Sequence, residues 1–204
     1  TAQAAYLDHH EPSPTSSAHG LEKAGVLETT VVPLLVSPAY HARVDVPAAV
    51  ATMRAAAPTL AVAAAAPAGV HPLLLAAAGE LVNASGLPID EHTGIILAAA
   101  GSRDLHAVGA MEHLFRERAQ ATAQDLGVRA VRAAYLDGGR PLGRIRTLMR
   151  CVDGCTSFVV VPMVIADGFM RDRVVTAANR YDAPVTPGAL ADTNALADLV
   201  ALRA

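Results

Sequence analysis

The sequence is poor in aromatic residues, cysteine and lysine. Aromatic side chains make up 3% of the chain and tryptophan is absent, so the core must consist of alanine, valine and leucine. The two cysteines, Cys151 and Cys155, are too few for a disulfide framework, and we interpret them as small apolar residues beside a turn in a reducing compartment. Lys23 is the only lysine.

Several classes of protein are disfavoured by what is missing. Apolar runs such as residues 59–66 are far shorter than the ~20 residues that cross a bilayer, and no signal peptide is visible, so we expect a cytoplasmic protein without a membrane partner. A net charge of -3 argues against a nucleic-acid partner. No G-x-G-x-x-G or P-loop follows a predicted strand, which disfavours a nucleotide-binding protein. With 52% apolar residues over 204 positions, the chain is expected to fold around a real core.

The sequence repeats itself at an offset of 129 residues. Ala-Ala-Tyr-Leu-Asp at residues 4–8 recurs at 133–137, and Val-Val-Pro at 31–33 recurs at 160–162. The match needs no gap, so it predicts two halves of one architecture. We place them at residues 1–85 and 93–204, joined by a polar linker.

Both halves alternate short β-branched runs with alanine-rich helical stretches. This order predicts an α/β fold with parallel sheets that are covered by helices on both faces. In the first half we predict strands at 4–7, 29–36 and 59–65 and helices at 16–24, 46–57 and 72–83. In the second half we predict strands at 94–99, 128–136, 157–165 and 183–185 and helices at 105–126, 142–150, 169–179 and 190–202.

The second half opens with a strand and a long helix that the first half does not match. At the repeat offset their counterparts would precede Thr1, so we expect that one β-α unit of roughly 30 residues is missing. The first sheet should then have a gap. We expect that residues 4–7 and 29–36 pair directly, that another chain fills the gap, or that the first half is poorly ordered; a complete four-stranded sheet would contradict the alignment.

Histidines and carboxylates follow the predicted strands of the first half. Ligands of open parallel sheets bind beyond the carboxyl ends of the strands, and imidazole with carboxylate suits a first-row divalent metal. In the second half most of the equivalent positions hold other residues, so only the first half is equipped. The residues of the first half are Asp8, His10 and Glu11 after the first strand and His41 and Arg43 after the second. At the repeat offset, Gly139 stands for His10, Arg140 for Glu11, Met170 for His41 and Asp172 for Arg43.

Five segments, at residues 5–13, 32–47, 68–72, 101–104 and 162–169, resemble the CbiX/SirB-like sirohydrochlorin chelatases. The most specific is Pro-Leu-Leu-Val-Ser-Pro-Ala-Tyr-His-Ala-Arg-Val-Asp at residues 33–45, and the resemblance covers essentially the whole chain. It implies two flavodoxin-like, three-layer halves, related by duplication, with the tetrapyrrole between them. It also implies a lyase that inserts Fe²⁺ or Co²⁺ into sirohydrochlorin for sirohaem or cobalamin. The metal is then a substrate, no cofactor is tightly bound, and the protein is a monomer or homodimer.

The resemblance also assigns residues. His41 is expected to handle the metal and accept protons, and Asp8 is the closest match to an assisting carboxylate. The family's second histidine stands in a His-Gly-Ser segment that would lie in the missing unit, and the repeat copy of that segment is Ala-Gly-Ser at 100–102. Further metal ligands are expected at His10 and Glu11, and substrate-binding groups at Arg43, His71, Ser102 and Arg103.

Ordinary structural roles compete with these assignments. Asp8 is an alternative helix cap, because its copy Asp137 persists in the unequipped half. His71 precedes Pro72 and suits a helix start, and Arg103 suits a local ion pair with Asp104. The competing function is a non-catalytic tetrapyrrole- or metal-binding protein derived from the same family.

Overall fold

The structure, a computed structural model, describes residues 2–8, 10–36, 40–102, 104–137 and 140–204. It contains two compact units, residues 1–68 with 200–204 and residues 69–199. In each unit parallel strands alternate with helices, which confirms the predicted α/β class. No helix within the described ranges is long and apolar enough to cross a membrane.

The first unit has a parallel two-stranded sheet, and α1 and α3 pack against each other. Its core is made of small and aliphatic side chains, among them Val50, Met53 and Leu60. The elements in chain order are α1 (Pro14–Lys23), β1 (Glu28–Val31), α2 (Tyr40–Arg43), α3 (Asp45–Ala56) and β2 (Ala61–Ala64).

The second unit has a parallel sheet in the order β4-β3-β5, extended by a bridge between Val160 and Val185. All seven residues of the central strand are buried, as expected of a parallel sheet covered on both faces. The elements are α4 (Leu73–Ala84), β3 (Thr93–Ala99), α5 (Leu105–Leu126), β4 (Ala130–Tyr135), α6 (Leu142–Leu148), β5 (Ser157–Pro162), α7 (Phe169–Asn179) and α8 (Asn194–Arg203), with a π-helical turn at Met149–Asp153 and a 3₁₀ turn at Leu190–Asp192.

The predicted strand at residues 4–7 is wrong. Residues 2–6 have no regular secondary structure, and Tyr6 is 43% exposed, whereas its repeat copy Tyr135 is 5% exposed within β4. A strand needs a neighbouring ladder, and β4 has one in β3 while residues 4–7 pair with no strand in the described chain. The amide of Tyr6 donates instead to the carbonyl of Pro12 and closes a turn.

The first sheet is therefore incomplete among the described residues. β1 pairs with β2 alone, in the register Glu28 to Ala61, and residues 4–7 do not pair directly with β1. The strand is shorter than predicted and ends before Pro33, which has no N–H to donate to a ladder. At the repeat offset β1 corresponds to β5, because Ser157 follows Glu28 by 129 residues.

Helix α4 packs within the second unit, although the sequence repeat places it in the first half. The Glu80 carboxylate accepts hydrogen bonds from the amides of Asn194 at 2.8 Å and Ala195 at 2.9 Å, and so caps α8. Leu74 and Leu81 on the same helix are buried. The predicted halves at 1–85 and 93–204 stay a prediction about the repeat, while the compact units divide after residue 68.

We expect Glu80→Ala to lower the free energy of unfolding by about 1–2 kcal/mol, because two amides at the start of α8 lose their acceptor and the negative charge there is removed. Urea unfolding monitored by circular dichroism measures the change. Glu91→Ala is the matched control, since the Glu91 side chain is 82% exposed. Equal stability of the two variants would show that the cap contributes nothing.

The two cysteines behave as small side chains. Both are free, Cys155 is buried and Cys151 is exposed. Burial raises the pKa of the Cys155 thiol, and the neighbouring Asp153 carboxylate adds to the rise. A buried thiol of raised pKa is a poor nucleophile, which agrees with the interpretation of Cys155 as a structural residue.

Candidate functional site

The segment after β1 carries the most family-specific residues of the chain. It leaves the sheet at Val31, passes through residues 37–39, which lie outside the described residues, and forms the single turn of α2. Helix α3 follows directly, with Asp45 in its first turn. Two consecutive helical turns thus bring residues 41 and 45 to one face.

His41 and Asp45 form a close pair. The Nδ1 of His41 lies 2.5 Å from Oδ2 of Asp45, and the two side chains are 63% and 36% exposed. An ionised carboxylate can only accept, so Nδ1–H donates and the lone pair of the neutral ring is on Nε2. Carboxylates fix metal-binding imidazoles in this way, and the ring of His41 is therefore oriented for chemistry at Nε2.

Asp45 was not among the predicted site residues. The signal for it was present in the sequence, because His41 and Asp45 are four residues apart in a helical segment. Arg43 is exposed on α2.

Glu11 has a structural role at the start of α1. Its carboxylate accepts hydrogen bonds from the amide of Ser13 at 2.5 Å and the hydroxyl of Ser16 at 2.7 Å, and Ser13 caps the helix. These bonds, the one from Ser16 first, lower the pKa of Glu11. Its use as a metal ligand stays a prediction, and a metal would compete with both serines for the carboxylate.

We expect Ser16→Ala to raise the pKa of Glu11 toward the ordinary range, because the strongest bond to the charged form is lost. In the unchanged protein the lowered pKa stabilises α1 at neutral pH, and this contribution disappears as the pH falls through the lowered pKa. A carboxyl-detected NMR titration measures the pKa directly. An unchanged value would show that the Ser16 hydroxyl does not hold the carboxylate.

Asp8 and His10 lie in the exposed turn after residues 2–6. The amide of His10 donates to the carbonyl of Asp8 at 2.9 Å. The imidazole ring of His10 packs edge-on against the ring of Tyr6, with 5.6 Å between the ring centroids. In the second unit the copy of Asp8, Asp137, is held by both guanidinium nitrogens of Arg173, at 2.9 and 3.1 Å. The counterpart of Arg173 at the repeat offset is Val44, so the first unit cannot form that ion pair.

The predicted substrate-binding residues of the second unit lie at helix starts. The Ser102 hydroxyl accepts the amide of Asp104 at 3.0 Å just before α5. The Nδ1 of His71 accepts the amide of Leu73 at 3.2 Å at the start of α4, as the structural alternative for this residue requires. Arg103 lies outside the described residues. Their contacts with a substrate stay predictions.

The described side chains do not form a preassembled metal centre. In the part of the chain that the structure describes, no group of three or more histidine, cysteine, aspartate or glutamate residues could hold a metal ion. His41, His10 and Glu11 are therefore not gathered into the predicted ligand set. What the first unit offers is the pair of His41 and Asp45.

Comparison with known proteins supports the motif-based resemblance. The CbiX family model matches residues 1–85. SirB from Bacillus subtilis with Fe³⁺ aligns with a TM-score of 0.73 at 18% identity, over 98% of this chain and 79% of that one. SirB from Bacillus subtilis subspecies spizizenii in complex with cobalt aligns at 0.63 and 16%, over 98% and 77%.

A third solved structure, CbiX, described as the terminal enzyme for biosynthesis of sirohaem in denitrifying bacteria, aligns with a TM-score of 0.57 at 17% identity, over 90% of this chain and 76% of that one. None of the curated proteins matches the chain. At these identities the structural likeness establishes the fold, which is that of the chelatases. Together with the family match, it confirms the predicted resemblance.

Proposed function

We propose, because residues 1–85 match the CbiX family model, that the protein inserts a divalent metal ion into sirohydrochlorin. The observation that carries the proposal is the pair of His41 and Asp45 within the matched segment. The structural neighbours with Fe³⁺ and with cobalt support it, since proteins of this fold bind such metals.

Insertion exchanges two protons for one M²⁺: two pyrrole N–H bonds break, two metal–nitrogen bonds form in their place, and both protons must be accepted. A neutral imidazole, whose ordinary pKa is ~6.5, both binds metal and accepts a proton near neutral pH. In His41 this chemistry is at Nε2, because Nδ1 is engaged by Asp45. The Asp45 carboxylate stabilises the imidazolium that forms when the ring takes up a proton.

The second half of the repeat lacks this pair. Met170 and Val174 stand at the positions of His41 and Asp45. We therefore assign the metal chemistry to the first unit. Asp8 is the assisting carboxylate in this proposal, since Val44 replaces the arginine that neutralises its copy Asp137.

The macrocycle carries several carboxylates, which guanidinium groups bind through two hydrogen bonds. Arg43 and Arg103 are the proposed partners, with Ser102 and His71 as neutral donors. Imidazole and carboxylate bind Fe²⁺ and Co²⁺ alike, so the proposal includes both sirohaem and cobalamin as end products.

The test is anaerobic incubation of the full-length gene product with metal-free sirohydrochlorin and Fe²⁺ or Co²⁺, followed by the change in visible absorbance. Protein that accelerates insertion above the uncatalysed rate supports a chelatase. Protein that binds sirohydrochlorin or the metal, measured by fluorescence quenching or calorimetry, without acceleration would replace the chelatase with the binding protein. Absence of both binding and acceleration contradicts both functions.

A further inference from the structure

A groove runs along the outer edge of β4 in the second unit. It lies between α5 on one side and α6 on the other and has a volume of about 510 Å³. None of the predicted site residues lines it. We call it the edge groove, and its floor includes residues 130–133 of β4.

The strand at the bottom of the edge groove has an open ladder side. Among the described strands, β4 pairs only with β3. The amide of Leu136 donates to Ala99 of β3, and the amide of Tyr135 points the other way, to the carbonyl of Arg140. Because successive peptide groups alternate along a strand, those of Val131 and Ala133 face the open side, as that of Tyr135 does. These peptide groups can hydrogen bond an added strand.

The walls of the edge groove are partly apolar. Phe115 of α5 and Ile145 of α6 line it and are buried, and Leu148 at its rim is 38% exposed. Every second side chain of an added strand could therefore pack on apolar surface, while its backbone pairs with that of β4.

The edge groove is positively charged, whereas the whole chain carries a net charge of -3. Asp153 pairs with Arg132 at 2.6 Å. The Glu112 carboxylate lies 3.3 Å from the guanidinium of Arg140 and 3.9 Å from that of Arg116. Two carboxylates thus face four guanidinium groups, and positive charge remains in excess. The four are Arg116, Arg129, Arg132 and Arg140.

This charge argues against a second copy of the chain as the occupant. Pairing of two β4 edges would bring two grooves together that each carry an excess of positive charge, and like charges across a strand pair are destabilising. Acidic side chains at the same positions would be attracted instead.

We propose that the edge groove binds an extended acidic peptide segment of another protein, which adds to the sheet as a strand beside β4. Backbone hydrogen bonds to Val131 and Ala133 supply the strand pairing, and the surplus guanidinium groups select acidic side chains. The mode is β-strand addition with charge selection.

Fluorescence polarisation tests the proposal with two labelled eight-residue peptides, one alternating glutamate with valine and the other alternating lysine with valine. Only the acidic peptide should bind the full chain, and its affinity should fall as salt is raised. Arg116→Glu should weaken binding roughly three- to tenfold. Arg118→Glu is the matched control, because Arg118 is exposed on the same helix and does not line the groove.

Ala133→Pro separates strand addition from charge attraction alone. It removes an N–H that faces the open side, and edge strands tolerate proline at such positions. We expect binding to weaken roughly three- to tenfold, the effect of one lost backbone hydrogen bond. Circular dichroism checks that the Ala133→Pro variant folds. If it does not fold, the comparison of Arg116→Glu with Arg118→Glu remains the test of the groove.

Equal binding of both peptides, or equal loss with Arg116→Glu and Arg118→Glu, would overturn the proposal. Binding that Ala133→Pro leaves unchanged in a folded variant would overturn strand addition. A dimer seen in analytical ultracentrifugation that Ala133→Pro dissociates would make a second copy the occupant and equally contradict the acidic segment.

Discussion

Replacement of His41 by alanine is expected to slow metal insertion into sirohydrochlorin by about 10²–10⁴-fold, toward the upper end of this range. The variant loses the group that accepts pyrrole protons, and the same imidazole is proposed to deliver the metal. The initial rate of the absorbance change with Fe²⁺ or Co²⁺, corrected for the uncatalysed reaction, measures the effect. Stability should change little, because the His41 side chain is 63% exposed.

The chain offers a matched control for His41. His113 and Glu117 form the same spacing on α5, with Nε2 3.1 Å from the carboxylate and side chains 69% and 59% exposed. His113→Ala should leave the rate unchanged. If His41→Ala turns over as fast as the unchanged protein, the proposed mechanism is wrong.

Asp45→Asn distinguishes positioning from direct catalysis in the same assay. An amide keeps the size of the side chain but no longer stabilises an imidazolium, so we expect a loss of about 10–100-fold, less than that of His41→Ala. A rate identical to that of the unchanged protein would leave Asp45 without a role in the proposed reaction.

Much of the fold followed from local sequence. The predicted helices at 105–126 and 169–179 coincide with α5 and α7, because helices depend on periodicity and caps within the segment itself. The strand predicted at 157–165 begins at Ser157, 129 residues beyond the start of β1, but β5 ends at Pro162.

The prediction failed where structure depends on distant partners. Ala-Ala-Tyr-Leu forms a buried strand in its second copy and exposed irregular backbone in its first, because among the described residues only the second copy has a neighbouring strand to pair with. Local sequence could not predict that α4 packs in the second unit either, because the hydrogen bonds from the start of α8 to Glu80 join residues more than a hundred positions apart.

The candidate site could be predicted only in part, because a sequence pattern indicates residue types and spacing but not the hydrogen bonds that each side chain forms. The motif predicts His41 as a site residue, and this assignment stays a prediction. The contact of His41 with Asp45 could have been predicted from their spacing of four residues. The Glu11 carboxylate accepts hydrogen bonds from Ser13 and Ser16, which are close to it in the sequence. Metal binding and helix capping require the same residue types, so the sequence does not distinguish the two roles. Only the hydrogen bonds of the folded chain show which use is made.

Gly101→Ala is expected to destabilise the second unit strongly. Gly101 has a φ of +85°, and a Cβ there would overlap the carbonyl oxygen of Asp137. The clash is with backbone, which cannot rotate away, and the amide of Asp137 is itself bonded to Ala100 at 3.0 Å. We expect a loss of at least ~3 kcal/mol in the free energy of unfolding, from the strained φ and the overlap together.

Gly109→Ala provides the opposite control for the same chemical change. Gly109 lies within α5, and a Cβ there would meet no atom within 4 Å, so alanine should stabilise the helix by about 0.5–1 kcal/mol. Thermal and guanidinium unfolding of the two variants should therefore move in opposite directions. If Gly101→Ala unfolds at the same midpoint as the unchanged protein, the close approach of β3 and β4 beyond their carboxyl ends is not as tight as the structure shows.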